Sequence, residues 1–419
     1  MPGPIAAPNM TEPFPVGIDG LAFAGPAAYV DLADLAQARG VDPAKFTRGL
    51  GQHRMAIASP CEDTVTMAVE AGAQVLQAFD IDPAEIGTLI VGTETGVDHS
   101  KPVAVYVHDL LGLNERCRTF ETKHACYGAM AGLTSSMDWI ASGRARGRKA
   151  LVIASDIANY GLGTPGEPTQ GAGAVAMLVD RQPRLLEIQP ASIGDYTRQV
   201  MDFWRPLYSK YALADGQYSI QCYLDALAAA REDAVGSRQD LLGELQACLY
   251  HVPFVRMAFK AHQRELEMEM GQAISKDEPE QWHQLQDSYA KRCAPWLTLN
   301  AEIGNIYTGS LFLSLIDLLR KAGSKLAGQQ VSLFSYGSGC GATYCLGKIT
   351  ECAGEWEARL DPSAQLAARR RLSIDEYEYM VRAGEHADRL ESLNPDDYGL
   401  SGGLYYTGTR DDRRHYESV

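Results

Sequence analysis

The sequence lacks a surplus of positive charge: 38 Lys and Arg stand against 53 Asp and Glu, a net −15. Nucleic acid is held by clustered cations, so this balance excludes a broad nucleic-acid surface while leaving room for a local basic pocket. It also lacks any CxxC pair. Its nine cysteines, Cys61, Cys117, Cys126, Cys222, Cys248, Cys293, Cys340, Cys345 and Cys352, are odd in number and scattered. That excludes a disulfide framework and a zinc knuckle, predicts no metal site, and reads as a reduced cytoplasmic setting. No apolar run approaches the roughly 20 residues that a membrane-spanning helix needs. Residues 1–15, MPGPIAAPNMTEPFP, have neither a basic start nor an apolar core, and read as a loose tail rather than a signal peptide.

What is present is an ordinary globular balance, 46% apolar and 22% charged, over 419 residues. That length has room for two fused units. Apolar residues Val65, Ala68, Ala71, Val75 and Leu76 predict a helix from Asp63 to about Phe79. Short apolar runs at Thr88–Gly92, Ala150–Ser155 and Gly171–Val179 predict buried strands, and a further helix is expected from about Cys126 to Ser142. Helices alternating with buried strands indicate α/β layers.

The second half repeats this order. Cys126-Tyr127-Gly128-Ala129-Met130 matches Ile306-Tyr307-Thr308-Gly309-Ser310, and Leu151–Ser155 matches Val331–Ser335. GAGAVAML at 171–178 resembles GCGATYCL at 339–346. The repeat predicts a duplication with halves at 16–180 and 181–419, the second carrying a charged helical insertion near 254–296 whose acidic face is solvated. The stretch after Asn394 reads as an irregular edge.

Four residues could carry chemistry. Cys126 stands where a helix starts after a short strand; a helix terminus, with Lys123 and His124 beside it, would lower a thiol's pKa. The competing reading is an inert core cysteine. His251 precedes Val252-Pro253 and is either presented at a cleft or hydrogen-bonded in the core. Asn305 is either a polar site residue or the N-cap of the second-half helix. Glu94, directly after a buried strand, is either a solvated loop charge or a desolvated base able to remove a carbon-bound proton. A pseudo-twofold arrangement of the halves would bring all four to one cleft.

The motifs around these residues resemble the 3-hydroxy-3-methylglutaryl (HMG) synthase family of the thiolase-like superfamily. They include GTETGVDHSK (92–101), ACYGAMAGL (125–133), SDIANY (155–160), PTQGAGAVAML (168–178), DFWRP (202–206), DGQYSIQCYLDAL (215–227), HVPFVRMAFKA (251–261), GNIYTGSLFLSL (304–315) and FSYGSG (334–339). The resemblance implies a five-layered αβαβα fold of two duplicated halves and a homodimer. It implies Glu94, Cys126 and His251 as catalytic residues, with Tyr160, Thr169, Ser219, Arg256, Lys260, Asn305 and Ser338 on the substrate. The backbone at Cys126, Gly337 and Gly339 would form the oxyanion site. No cofactor is implied beyond the phosphopantetheine of CoA or of an acyl carrier protein.

Two features depart from the family's pattern. Arg256 stands where lysine is common, and Pro43 lies where the nucleotide end of CoA is contacted and removes a backbone donor. Together with the Lys123–Tyr127 context, they favour the polyketide β-branching branch, which works on acyl carrier proteins. The alternative is a central-metabolism synthase using acetyl-CoA and acetoacetyl-CoA. More distant readings are a decarboxylating ketoacyl synthase, which needs no base at Glu94, and an inactive carrier-binding subunit, which would not keep the full residue set.

Overall fold

A computed structural model describes residues 15–419; the tail expected over residues 1–15 therefore lies, apart from Pro15, outside the described residues. The main sheet runs, from one edge, through Ala247–Tyr250, Gln330–Gly337, Gly341–Ile349, Leu186–Ile188, Val16–Ala24, Gly171–Arg181, Lys149–Ala158, Ile86–Gly92 and Arg118–Thr122. The duplication is visible in its pairing. Ile86–Gly92 lies parallel to Lys149–Ala158, which is antiparallel to Gly171–Arg181, which is antiparallel to Val16–Ala24. Ala247–Tyr250, Gln330–Gly337, Gly341–Ile349 and Leu186–Ile188 repeat those relations in the same order. Val16–Ala24 pairs with Leu186–Ile188 where the two sets meet.

The repeat is offset by one residue from the sequence match. Leu151 pairs with Leu178, but its counterpart Val331 pairs with Gly347, one residue beyond Leu346. The second-half strands are joined by a tight turn from Gly337 to Gly341, whereas a long loop joins Ala158 to Gly171. A one-residue slip exchanges the faces on which side chains stand, so ladder pairing, not sequence identity, defines equivalence here.

Helix Thr64–Ala78 starts at the Asp63 N-cap, whose carboxylate accepts from the Val65 and Thr66 amides while the Thr66 hydroxyl accepts from the Asp63 amide. Two helices form the inner layer, Gly128–Ala141 and the almost wholly buried Gly309–Ala322. Close approach is enforced by glycine: a Cβ on Gly92 would stand 2.3 Å from the Ala129 nitrogen. The helix that follows Cys126 can therefore press against the end of the strand that precedes Glu94. Among the described residues, no helix is long and apolar enough to cross a membrane.

Two expectations need correction. Residues 404–418 are a regular hairpin, Leu404–Arg410 with Arg413–Ser418, pinned to the first half where Arg414 and Tyr416 donate to Asp63 at 2.7 and 2.8 Å. The charged region does form two helices, Met257–Met270 and Pro279–Arg292, but its acidic residues are not simply solvated. Glu265 is fully buried against Arg231, which also binds Glu269 at 2.9 Å. An arginine removed from water recruits carboxylates to offset its lost hydration.

Candidate active site

Glu94 and His251 follow equivalent strands, Ile86–Gly92 and Ala247–Tyr250, at their carboxyl ends, where open α/β sheets place ligand sites. Cys126 precedes helix Gly128–Ala141, and Asn305 precedes its counterpart Gly309–Ala322. The second half closes on the Cys126 segment at Gly337, where a Cβ would stand 2.6 Å from that of Tyr127. Ala125, just before the cysteine, takes a left-handed φ of 37°. Such backbone is uncommon for a residue with a Cβ and must be held by its surroundings.

Glu94 is deeply set, its side chain 8% exposed. It lines a cavity of about 910 Å³ that also touches Thr95, Lys123, His124, Ala125 and Phe203. Burial raises its pKa, and the charge and hydrogen bond of Arg205 oppose that rise. Arg205 Nη2 donates to Oε2 at 3.0 Å and to the Glu94 main-chain oxygen at 2.7 Å. Oε1 is buried and has no partner. Asp156 secures the same segment: its Oδ1 accepts from the Thr93 and Thr95 hydroxyls and the Glu94 and Thr95 amides.

Cys126 is buried with Ala158 and Tyr307, and Tyr160 packs against them. Phe203 stands edge-on to both tyrosines, at 6.2 Å from Tyr160 and 6.4 Å from Tyr307, completing an aromatic box. The expectation of a lowered thiol pKa is overturned. Burial raises it well above the usual range, and the charges of Glu94, Asp156 and Asp202 raise it further. His124 adds no positive field, because burial lowers its own pKa. In the free protein Cys126 is a thiol.

His251 is 2% exposed and burial alone pushes its pKa down to about 3, so the ring is neutral at physiological pH. Its main chain is fixed by the Phe334 oxygen at 2.7 Å and the Tyr223 hydroxyl at 2.8 Å, while Nδ1 is buried without a partner. Asn305 is not the N-cap of the second-half helix, a position that Thr308 takes without a side-chain bond. Asn305 Oδ1 accepts from the Tyr307 amide and the Ser310 hydroxyl, and its Nδ2 donates to the Tyr160 hydroxyl at 3.0 Å.

The remaining predicted residues divide into groups. Ser219 joins Tyr336 on Asp202, at 3.1 and 2.7 Å. Gly339 is corrected as an oxyanion donor, since its amide already donates to Asp202 at 2.9 Å. Ser338 lies just beyond the strand that ends at Gly337, half-buried. Thr169 is turned to the Gly166 oxygen at 2.8 Å. Arg256 and Lys260 are exposed, one helical turn apart, whereas the thiol is buried. The Arg256 amide donates to Leu50 at 2.9 Å, which sets that face beside the exposed Arg48.

Sequence reasoning did not single out Arg205, Asp156, Asp202, Phe203 or Tyr307. All five lie inside motifs it recognised, but only the folded chain shows which of those residues face Glu94 and Cys126. Cys248, His262 and Glu265 also come together. They form a hydrogen-bonded core network: the His262 nitrogens meet Tyr250 and Ser288, and Glu265 meets Tyr250 and Arg231.

Family models described as hydroxymethylglutaryl-coenzyme A synthase N terminal and C terminal match residues 12–183 and, in two pieces, 187–286 and 275–418. A hydroxymethylglutaryl-CoA synthase from Enterococcus faecalis is 38% identical, over 87% of this chain and 91% of its own. The solved structure of MvaS in complex with 3-hydroxy-3-methylglutaryl coenzyme A is 45% identical, with a TM-score of 0.89 over 97% of this chain and 99% of its own. The curacin biosynthetic pathway HMG synthase, in complex with holo donor-ACP, superimposes equally well, TM-score 0.89 over 97% of this chain and 100% of its own, at 31% identity.

Proposed function

The chain belongs to the hydroxymethylglutaryl-CoA synthase family, and from that premise we propose that it condenses an acetyl group held on Cys126 with the ketone of a β-ketoacyl thioester. Cys126 Sγ attacks the donor thioester, its proton passing to neutral His251, and the carrier thiol leaves. Glu94 Oε1 then takes a methyl proton, and the electron pair left on carbon forms the new bond to the acceptor's ketone carbon. The resulting alkoxide takes up the proton that Glu94 removed, which restores the carboxylate, and water releases the product from Cys126. The observation that carries this reading is the buried, unpartnered Oε1 of Glu94 in the site of a buried thiol. A decarboxylating synthase has no use for such a base.

The raised thiol pKa suits the sequence of steps. Three acidic groups oppose a thiolate, so the thiolate forms only as it attacks. Acetylation then removes the charge, leaving Glu94 to act beside a neutral thioester. The chemistry needs no metal or organic cofactor beyond the carrier's phosphopantetheine.

Acetyl-CoA and acetoacetyl-CoA are the substrates the similarities favour, because identity is 45% to MvaS bound to 3-hydroxy-3-methylglutaryl coenzyme A and 31% to the curacin synthase. The second reading, acyl groups on acyl carrier proteins, is supported by Arg256 and Pro43, the two departures at the carrier end. Arg48, Arg256 and Lys260 supply cations for a phosphate in either case. Turnover is to be measured with acetyl-CoA against acetyl-carrier protein, and acetoacetyl-CoA against acetoacetyl-carrier protein. The CoA reading predicts full turnover with CoA alone. Condensation only with carrier-bound acceptor would establish the second reading, and no acetyl group on Cys126 from either donor would remove both.

A further inference from the structure

Arg205 is the cation that contacts the proposed base, and the contact is unusual in form. One nitrogen, Nη2, donates both to a carboxylate oxygen of Glu94 and to the main-chain oxygen of the same residue. A partner that binds both ends of one residue fixes its χ angles as well as its charge. On the opposite side the Glu94 amide is held by Asp156. Glu94 is thereby secured at its amide, its carbonyl and Oε2, and Oε1 is the one polar atom left over.

Arg205 also comes from a distinct part of the chain. Phe203–Trp204 pairs with Leu213–Ala214, and the intervening strap lines the cavity. Its tip exposes Leu207 and Tyr208, each 89% exposed. Its far end is fastened to Glu385, which accepts from the Tyr211 hydroxyl and, through its main chain, from Lys210. Arg205 is thus delivered to Glu94 by a segment that belongs to neither the Glu94 strand nor the Cys126 helix.

We propose that Arg205 is a positioning residue for the condensation step: it orients Glu94 so that Oε1 faces the acetyl methyl group, and it keeps the carboxylate ionised in a buried site. This inference rests on the role proposed above for Glu94. Asp156, Cys126, Tyr160 and Tyr307 also feel Glu94's charge, and none of these four carries a positive charge. Lys123 lines the same cavity, but the ion pair to Glu94 comes from Arg205.

The test uses the full-length enzyme with Arg205→Met and Arg205→Lys. Three quantities are read: acetyl on Cys126 by peptide mass, exchange of the acetyl methyl protons for deuterium in D₂O, and the pH profile of condensation. Arg205→Met is expected to acetylate Cys126 but to slow exchange and condensation at neutral pH by ~10-fold or more, up to the ~10²–10⁴-fold that general-base catalysis contributes. The acid limb of its profile moves to higher pH, because burial then raises the base's pKa unopposed. Arg205→Lys, which keeps the charge, restores the limb toward its original place. An unchanged limb and unchanged exchange in Arg205→Met would overturn the inference while leaving the condensing function intact. Equal loss of acetylation and exchange in both variants would also overturn it, by assigning Arg205 to folding. Failure of the unsubstituted enzyme to form acetyl-Cys126 would instead remove the functional reading beneath it.

Discussion

Asn305 Nδ2 donates to the Tyr160 hydroxyl at 3.0 Å, a bond that crosses from one duplicated half to the other at the edge of the cysteine's aromatic box. Tyr160→Phe leaves that buried amide donor unpaired, at a cost of about 1–3 kcal/mol. The expected outcome is a several-fold or larger fall in kcat/KM for condensation, with Cys126 still acetylated. Steady-state kinetics beside peptide mass analysis checks it; unaltered kinetics would show that the bond does not organise the site.

Glu94 and Cys126 are coupled through charge, and the sign is testable. The Glu94 carboxylate helps to raise the thiol's pKa, so Glu94→Gln removes one of the repelling charges. The Cys126 thiolate should then form at lower pH. Iodoacetamide labelling of Cys126, followed against pH, is expected to move its rise downward in Glu94→Gln. An upward shift, or none, would contradict the electrostatic account.

His251 predicts a particular dependence of stability on acid. Its folded pKa, pushed down to about 3, lies below the value of about 6.5 for a free histidine. Between those values the unfolded chain binds a proton that the folded chain does not. The stability contributed by holding this ring neutral is therefore complete above the unfolded pKa and falls as pH drops toward 3. His251→Gln should reduce the slope of stability against pH over that window, by up to about 1.4 kcal/mol per pH unit. Denaturant titrations at a series of pH values measure it; matching slopes would refute the assignment.

Much of this site was legible in the sequence because chemistry and chain order coincide. Glu94 directly follows a run of buried strand residues, and Cys126 sits at a strand-to-helix junction; local pattern locates both. The internal repeat likewise announced two similar halves. The electrostatics were not legible, because a helix terminus near Cys126 is a local fact, whereas the opposing charges of Glu94, Asp156 and Asp202 come from three distant segments. Arg205 was missed for the same reason, since its strap reaches Glu94 only in the folded chain. The buried Glu265 looked solvated in a charge-rich run because its partner Arg231 lies on another helix.

Phe203 backs the two tyrosines that pack beside the thiol, standing edge-on to Tyr160 and Tyr307. Phe203→Ala removes that backing and with it two aromatic contacts, each worth about 0.5–1.5 kcal/mol. Loading with a propionyl donor should rise relative to acetyl. A competition between the two donors, read as the acyl mass on Cys126, checks it; an unchanged ratio would mean that Phe203 does not set donor size.

The central claim is that Cys126 carries the acetyl group and Glu94 removes its proton, so the most direct measurement separates those steps in one variant. Glu94→Ala is incubated first with the acetyl donor and then with the β-ketoacyl acceptor, following both the mass of the Cys126 peptide and the condensation product. The account predicts a normally acetylated Cys126 and a loss of product formation of about 10²–10⁴-fold, the contribution typical of a general base. Product formed at the unsubstituted rate would contradict it.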